Sequence, residues 1–165
     1  TEKIEKSYER HWRLLIMSRT YTPLLSEVLK KVHNAKTKAE KIAILKEHDC
    51  EQLRMIVKSS FDPAIEWLIP EGEVPFTRNE AVAGTEHTVL RRESRKLFHF
   101  IKGGNDALPL FKKENMFIQM LEGLHSSEAD LIIAAKDKKL HKAYKGLSEH
   151  VVKDAFGWND EYQRS

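Results

Sequence analysis

Phe117-Ile-Gln-Met-Leu-Glu-Gly-Leu124-His-Ser-Ser-Glu128-Ala-Asp-Leu131-Ile-Ile-Ala-Ala135-Lys136 is the stretch that decides the fold class. Phe117, Met120, Leu121 and Leu124 recur at the three- and four-residue spacing of one helix face. Ser126 or Ser127 is placed to cap a second helix, with Leu131, Ile132 and Ala135 inward. Two amphipathic helices joined by a short polar turn must bury their stripes against further helices.

The same period continues upstream. Thr22-Pro23 supplies an N-cap and a first-turn proline for Leu24, Leu25, Val28, Leu29 and Val32, and Asn34 ends that helix. Thr37-Lys-Ala-Glu40 reads as a capping box for a helix carrying Ala39, Ile42, Ala43 and Leu45. Asp49-Cys-Glu-Gln52 opens a third in the same way, with Leu53, Ile56, Val57 and Phe61 inward. Asp62-Pro63 is expected to start a short helical piece with Ile65, Trp67 and Leu68. Residues 70–85 read as one long irregular loop, within which Val74–Thr77 can run extended. A helix from Glu86 follows, with Val89, Leu90, Leu97 and Ile101 on one side, stopped by Gly103-Gly104. Another spans about Glu114 to Leu124. Downstream of Lys136, Gly146 and Ser148 separate two short helices, and Gly157 closes the last. Nothing alternates with period two long enough for a sheet, so the expectation is an all-α domain, a compact bundle of about seven to nine short helices.

The chain has 165 residues, one domain's worth, enough to bury roughly 70% of its unfolded surface. Its apolar and charged fractions, 41% and 32%, are those of a globular chain and not a disordered one. No apolar run approaches the ~20 residues of a membrane span, so no membrane partner is expected. With Cys50 alone, neither an internal disulfide nor a cysteine-rich zinc site can form, which fits a reducing cytoplasm.

Motifs for chemistry are sparse. The histidines sit on separate helices or at helix ends, with no His-x-x-x-His pair, and contiguous His48-Asp49-Cys50 diverges, so no metal and no cofactor is expected. No nucleophile elbow, P-loop or dinucleotide fingerprint occurs. Lys102-Gly-Gly-Asn-Asp106 reads as a helix stop and turn rather than a phosphate cradle, and Asp62 as a cap rather than the acid–base partner of Glu66.

Two features point to binding. Lys136, Lys138, Lys139, Lys142 and Lys145 against Asp137 make a local charge of +4, with His141 and Tyr144 interleaved. Six lysines between Val28 and Lys46 against Glu40 make +5, and Arg91, Arg92, Arg95 and Lys96 against Glu93 form a third cluster. Merged on one face, these residues would neutralise phosphates; spread out, they are solvated helix faces. The second feature is the long loop, acidic through Glu71, Glu73, Glu80 and Glu86, with Phe76 and Arg78 at its centre. It is expected either to contact a partner through Glu71, Glu73, Phe76 and Arg78 or to be pinned across the core by Val74 and Phe76.

The Phe117–Leu140 stretch, continuing through Tyr144-Lys-Gly146-Leu to Val151-Val-Lys-Asp-Ala-Phe156, resembles a family of small proteins from T4-like tailed phages of marine cyanobacteria. Met17-Ser-Arg-Thr-Tyr-Thr-Pro23, Ser59-Ser-Phe61-Asp-Pro63 and Trp67-Leu-Ile-Pro70-Glu-Gly72-Glu-Val-Pro75 resemble the start and middle of its members. The resemblance implies a phage setting, in the cytoplasm of an infected bacterium or in the virion, and brings no catalytic or binding residues with it. It begins near Met17. Trp12-Arg13 can be encoded as UGGAGG, a ribosome-binding sequence three codons before Met17, so residues 1–16 read as translated leader and 17–165 as the domain. Alternatively Ile4, Tyr8, Trp12 and Leu15 form an extra N-terminal helix.

The expected function is that of a non-enzymatic accessory protein binding an unidentified phage or host protein. The alternatives are low-specificity nucleic-acid binding through the lysine faces and, less favoured, an enzyme whose site is assembled from separated residues.

Overall fold

Eight α-helices and one 3-10 segment make up the regular structure of a computed structural model that describes residues 22–80 and 88–164. The helices are α1 Leu25–Asn34, α2 Lys38–Glu47, α3 Glu51–Phe61, α4 Leu90–Glu93, α5 Leu110–Gly123, α6 Ser126–Lys136, α7 Leu140–Ala143 and α8 Glu149–Phe156; the 3-10 segment is Ser94–Phe100. Among the described residues there is no sheet, only isolated bridges such as Trp67 with Ile101. The fold is all-α, as the periodicity requires. The reading of residues 1–16 lies outside the described residues, as do positions 81–85 of the loop.

Helices α3 and α6 form the middle. α6 packs on α1, α3, α5 and α7, and α3 also meets α4, α7, α8 and the 3-10 segment; α2 is held between α1 and α8. The stripes Leu25, Val28, Leu29, Val32 and Leu53, Ile56, Val57 are fully buried, and so is Leu131 with Ile132 and Ala135. Phe117 stands edge-on to Phe100 with ring centroids 5.3 Å apart, and Trp67 closes that corner while donating its indole N–H to the Ser59 carbonyl at 3.0 Å.

Several ends differ from expectation, for local reasons. Pro23 lies before α1, whose N-cap is Leu24 with no side-chain cap. Thr37 does cap α2, accepting from the Glu40 amide, while Glu40 reaches back to the Lys36 amide. Of the four apolar residues expected inward on α2, only Leu45 is buried; Ile42 is half-buried against the core, and Ala39 and Ala43 are exposed. Cys50, not Asp49, caps α3: its Sγ accepts from the Leu53 amide at 3.4 Å, and Asp49 instead takes Arg54 and Arg164. Asp62-Pro63 starts a turn and no helix, Asp62 accepting from the Ala64 amide. His125 Nδ1, not a serine, accepts from the Ser127 amide at the start of α6. α5 begins at Leu110, four residues before the expected start. The segment after α4 tightens to 3-10 geometry. At three residues per turn Ser94, Leu97 and Phe100 align, and all three are buried; Ile101 leaves the helix to pair with Trp67.

One carboxylate ties these pieces together. Glu128, fully buried in the first turn of α6, accepts from the Leu25 amide through Oε2 (3.2 Å) and the Leu90 amide through Oε1 (3.0 Å). These are the first residues of α1 and α4, so three helix N-termini share one negative charge. Ser26 and Ser127 hydroxyls add a contact at 2.8 Å. Replacing Glu128 by Gln keeps the shape but turns one acceptor into a donor facing a main-chain N–H. Glu128→Gln is expected to lose about 2–4 kcal/mol of stability in urea denaturation, far more than a surface change; a loss within ~0.5 kcal/mol would refute this account of the three-helix junction.

Candidate interaction surfaces

The loop after Pro70 is strapped down over its described length. Lys136, whose side chain has no solvent exposure, donates from Nζ to the Pro70 carbonyl (2.7 Å) and the Gly72 carbonyl (3.1 Å) and pairs with Asp137. Asp137 in turn accepts from the Gly72 amide, where a φ of +108° suits glycine. Further along, the Thr77 amide donates to Glu122, and Arg78 donates to Ser126 Oγ at 2.6 Å and Asp130 at 2.8 Å while lying over the Phe76 ring. Asp130 holds the Arg78 guanidinium above its ordinary pKa through that hydrogen bond and its charge. Phe76 and Val74 pack against the core. Glu71 reaches Lys139, and Glu73 is exposed. The loop is thus pinned by α5 and α6, through residues that the sequence also offered as partner contacts.

Much of the basic stretch after it is occupied as well. Lys136 serves the loop. Lys138, at φ +57°, donates to the Asp62 carbonyl at 2.7 Å, and burial lowers its pKa despite the nearby Asp62 charge. Lys139 pairs with Glu71. Tyr144 leans on the core, its pKa pushed up to about 12 by burial and then by the charges of Asp130 and Glu128. Arg91 donates to the Pro23 carbonyl at 3.1 Å and reaches Cys50 Sγ. Lys142, Lys145, Arg92 and Arg95 are exposed, with no ion pair among the described residues.

Two surfaces remain. The first is a seam where the end of α1 and the start of α2 meet residues 142–146. The Lys145 amide donates to His33 Nδ1 at 2.9 Å. Gly146 lies so close to α1 and α2 that a Cβ there would stand 2.6 Å from the Val32 carbonyl oxygen and 2.8 Å from Lys41 Cε. The fold thereby brings Lys41 to the segment carrying Lys145, while Arg91, Arg92 and Arg95 sit on α4 and the 3-10 segment.

The second surface is the end of the domain where the 3-10 segment turns into α5. Phe98 is 49% exposed, Leu110 51% and Phe111 62%. Gly104 touches the Phe98 carbonyl and Asn105 bonds His99 Nδ1 at 3.0 Å, so the 101–109 connection folds back under Phe98 before Leu110. Leu110 is in phase with Phe117 but about two turns before it, beyond the edge of the core. Alongside lies a cavity of about 330 Å³ lined by Glu93, Lys96, His99, Met116 and Gln119 among others. Glu93 is engaged there by the Thr88 hydroxyl (2.8 Å) and Lys96 (3.0 Å). Sequence reasoning passed over this end. A helix start placed at Glu114 left Leu110 and Phe111 off any face; the available signal was that Phe98 falls beside, not on, the Leu97 side. Among the described residues no three His, Cys, Asp or Glu side chains converge as a metal site, and no helix is long and apolar enough to cross a membrane.

The profile of the family described as "Family of unknown function (DUF6433)" matches residues 28–142, more than half of the chain, so the chain belongs to that family. No curated protein and no solved structure matches it.

Removing the strap's anchor tests the loop geometry. Lys136→Met leaves the Pro70 and Gly72 carbonyls and Asp137 without their donor; it is expected to cost about 2–4 kcal/mol and to speed amide exchange across residues 70–78. Unchanged exchange there would contradict the anchoring role. The tyrosines give a pH test. Tyr144 and Tyr162 are both pushed up from 10.0 to about 12, so the fold favours their neutral forms. Their contribution is complete below pH 10 and lost as pH rises toward about 12. Alkaline titration followed by tyrosinate absorbance is expected to show two late groups and a parallel fall in melting temperature, the fall being shallower in Tyr144→Phe.

Proposed function

We propose that this DUF6433 protein is a non-enzymatic phage accessory protein that works by docking onto another protein in the infected bacterial cell. The observation that carries the reading is the exposure of Phe98, Leu110 and Phe111 (49%, 51% and 62%), which stand at the end of the 3-10 segment and the start of α5, the two ends joined by the folded-back 101–109 connection. Single exposed apolar residues are ordinary; large aromatic and aliphatic side chains exposed on consecutive elements are what protein interfaces select. The resemblance to cyanophage proteins supports the phage setting, and the lack of a recognisable nucleophile, metal or cofactor motif favours binding over catalysis. The partner surface that fits is apolar with an acidic margin, because Arg92, Arg95 and Lys96 flank this end.

The test is affinity capture from infected and uninfected cyanobacterial lysate, with and without nuclease, using the protein and its Phe98→Ser/Phe111→Ser variant. Both positions are exposed, so the variant is expected to melt within a few degrees of the parent. A partner that survives nuclease and is lost with the variant, a weakening of at least tenfold, is the expected result. A partner retained by the variant, or one recovered only through nucleic acid, would overturn the assignment.

A further inference from the structure

We infer that the seam between the α1–α2 turn and residues 142–146 is a binding site for the phosphate backbone of nucleic acid. This goes beyond protein docking and rests on different residues. Three observations converge. Charge comes first: the Lys41 side chain lies against Gly146 next to Lys145, Lys36 and Lys142 lie within a few residues of these two in the chain, and none of the four has a carboxylate within ion-pair distance among the described residues. Several other lysines are ion-paired with carboxylates: Lys38 with Asp154, Lys96 with Glu93, Lys102 with Glu66, Lys139 with Glu71 and Lys153 with Glu149.

Order comes second. The Lys145 amide is fixed on His33, and the Lys41 stem runs across Gly146, where no side chain interrupts it. The bases of two of these lysines are therefore set by the fold, which lowers the entropy lost when their ammonium groups meet an anion. His33 is exposed; with Nδ1 accepting from the Lys145 amide, its neutral ring carries the proton on Nε2 and offers one more donor. Origin comes third. A helix C-terminus by itself attracts one or two cations, which accounts for lysines at the end of α1. It does not account for Lys142 and Lys145, which come from a segment more than a hundred residues later in the chain.

The nearest acid, Glu40, is turned to the Lys36 amide, and Asp154 is held by Lys38, so carboxylates near the seam are engaged rather than opposed to a ligand. Lysine ammoniums are point charges without the planar fork that reads a base edge, so the site grips phosphates and discriminates little between sequences.

The experiment is fluorescence anisotropy with a short labelled duplex DNA, and with the single strand as a second probe, at low and rising salt. Four phosphate contacts predict an affinity that falls on the order of a hundredfold between about 50 and 200 mM salt. Lys41→Met/Lys145→Gln, which keeps the Lys41 stem, is expected to lower the salt slope by about two. Lys102→Gln/Lys112→Gln removes the same charge elsewhere and is expected to leave the slope near the parent's. Melting curves of both variants establish that the fold is intact. No binding to either probe at about 50 mM salt would overturn the site. So would equal losses in the two variants, or a polyglutamate peptide competing as well as unlabelled DNA. Loss of DNA binding with protein capture intact separates this site from the apolar docking end.

Discussion

The meeting of three helix starts at the centre of this fold depends on the buried carboxylate of Glu128. A charge removed from water is tolerable only where donors replace the solvent, and here they are the first amides of α1 and α4, with the start of α6 itself supplying the third positive helix end. The arrangement is reciprocal. α1 lacks a side-chain cap of its own, and so does α4, and each uses Glu128 instead. Segments more than thirty and more than a hundred residues away are thereby fixed against the start of one central helix. The same negative charge, with Asp130, is felt by Tyr144, whose phenol is held neutral to high pH.

That junction sets which charged residues are left for binding. With α6 oriented by its first turn, its far end carries Lys136 into the space under the loop, where two carbonyls and Asp137 take up its donors. Lys138 and Lys139 then follow the chain back over Asp62 and Glu71. The basic run therefore splits: its first half closes the structure, and its second half, Lys142 and Lys145, joins the α1–α2 lysines. α5 extends beyond the core and carries Leu110 and Phe111 into solvent. One surface is cationic and the other apolar, and they lie on different elements, which allows each to be altered without the other.

Local chemistry was readable at some helix ends and in most apolar stripes, though the local caps Cys50 and His125 were missed. Thr37 accepts from the Glu40 amide while Glu40 accepts from the Lys36 amide, Gly157 ends α8 at φ +68°, and the buried stripes of α1, α3 and α6 follow the 3.6-residue period. Prediction failed where the partner is distant or the geometry shifts. Pro23 did not begin α1, because the end of that helix is capped from Glu128. Asp49 was drawn to two arginines, one of them Arg164, leaving Cys50 to cap α3. The stretch after Glu93 adopted three residues per turn in place of 3.6, which buries Ser94 with Leu97 and Phe100. The surface clusters were legible as charge but not as a site, since a count of lysines along the chain does not say which carboxylates the fold will set against them.

Periodicity, caps and the lack of alternating segments determine by themselves that this chain is all-α and which stripes of α1, α3 and α6 turn inward, because those are short-range consequences of helix geometry and apolar burial. Tertiary structure alone decides that Glu128 joins three helices, that Lys136 is consumed by the loop, and that Lys41 and Lys145 face one seam. The first two are electrostatic contacts and the third is close packing with one hydrogen bond, all between residues far apart in the chain, and each depends on where packing brings their backbones together.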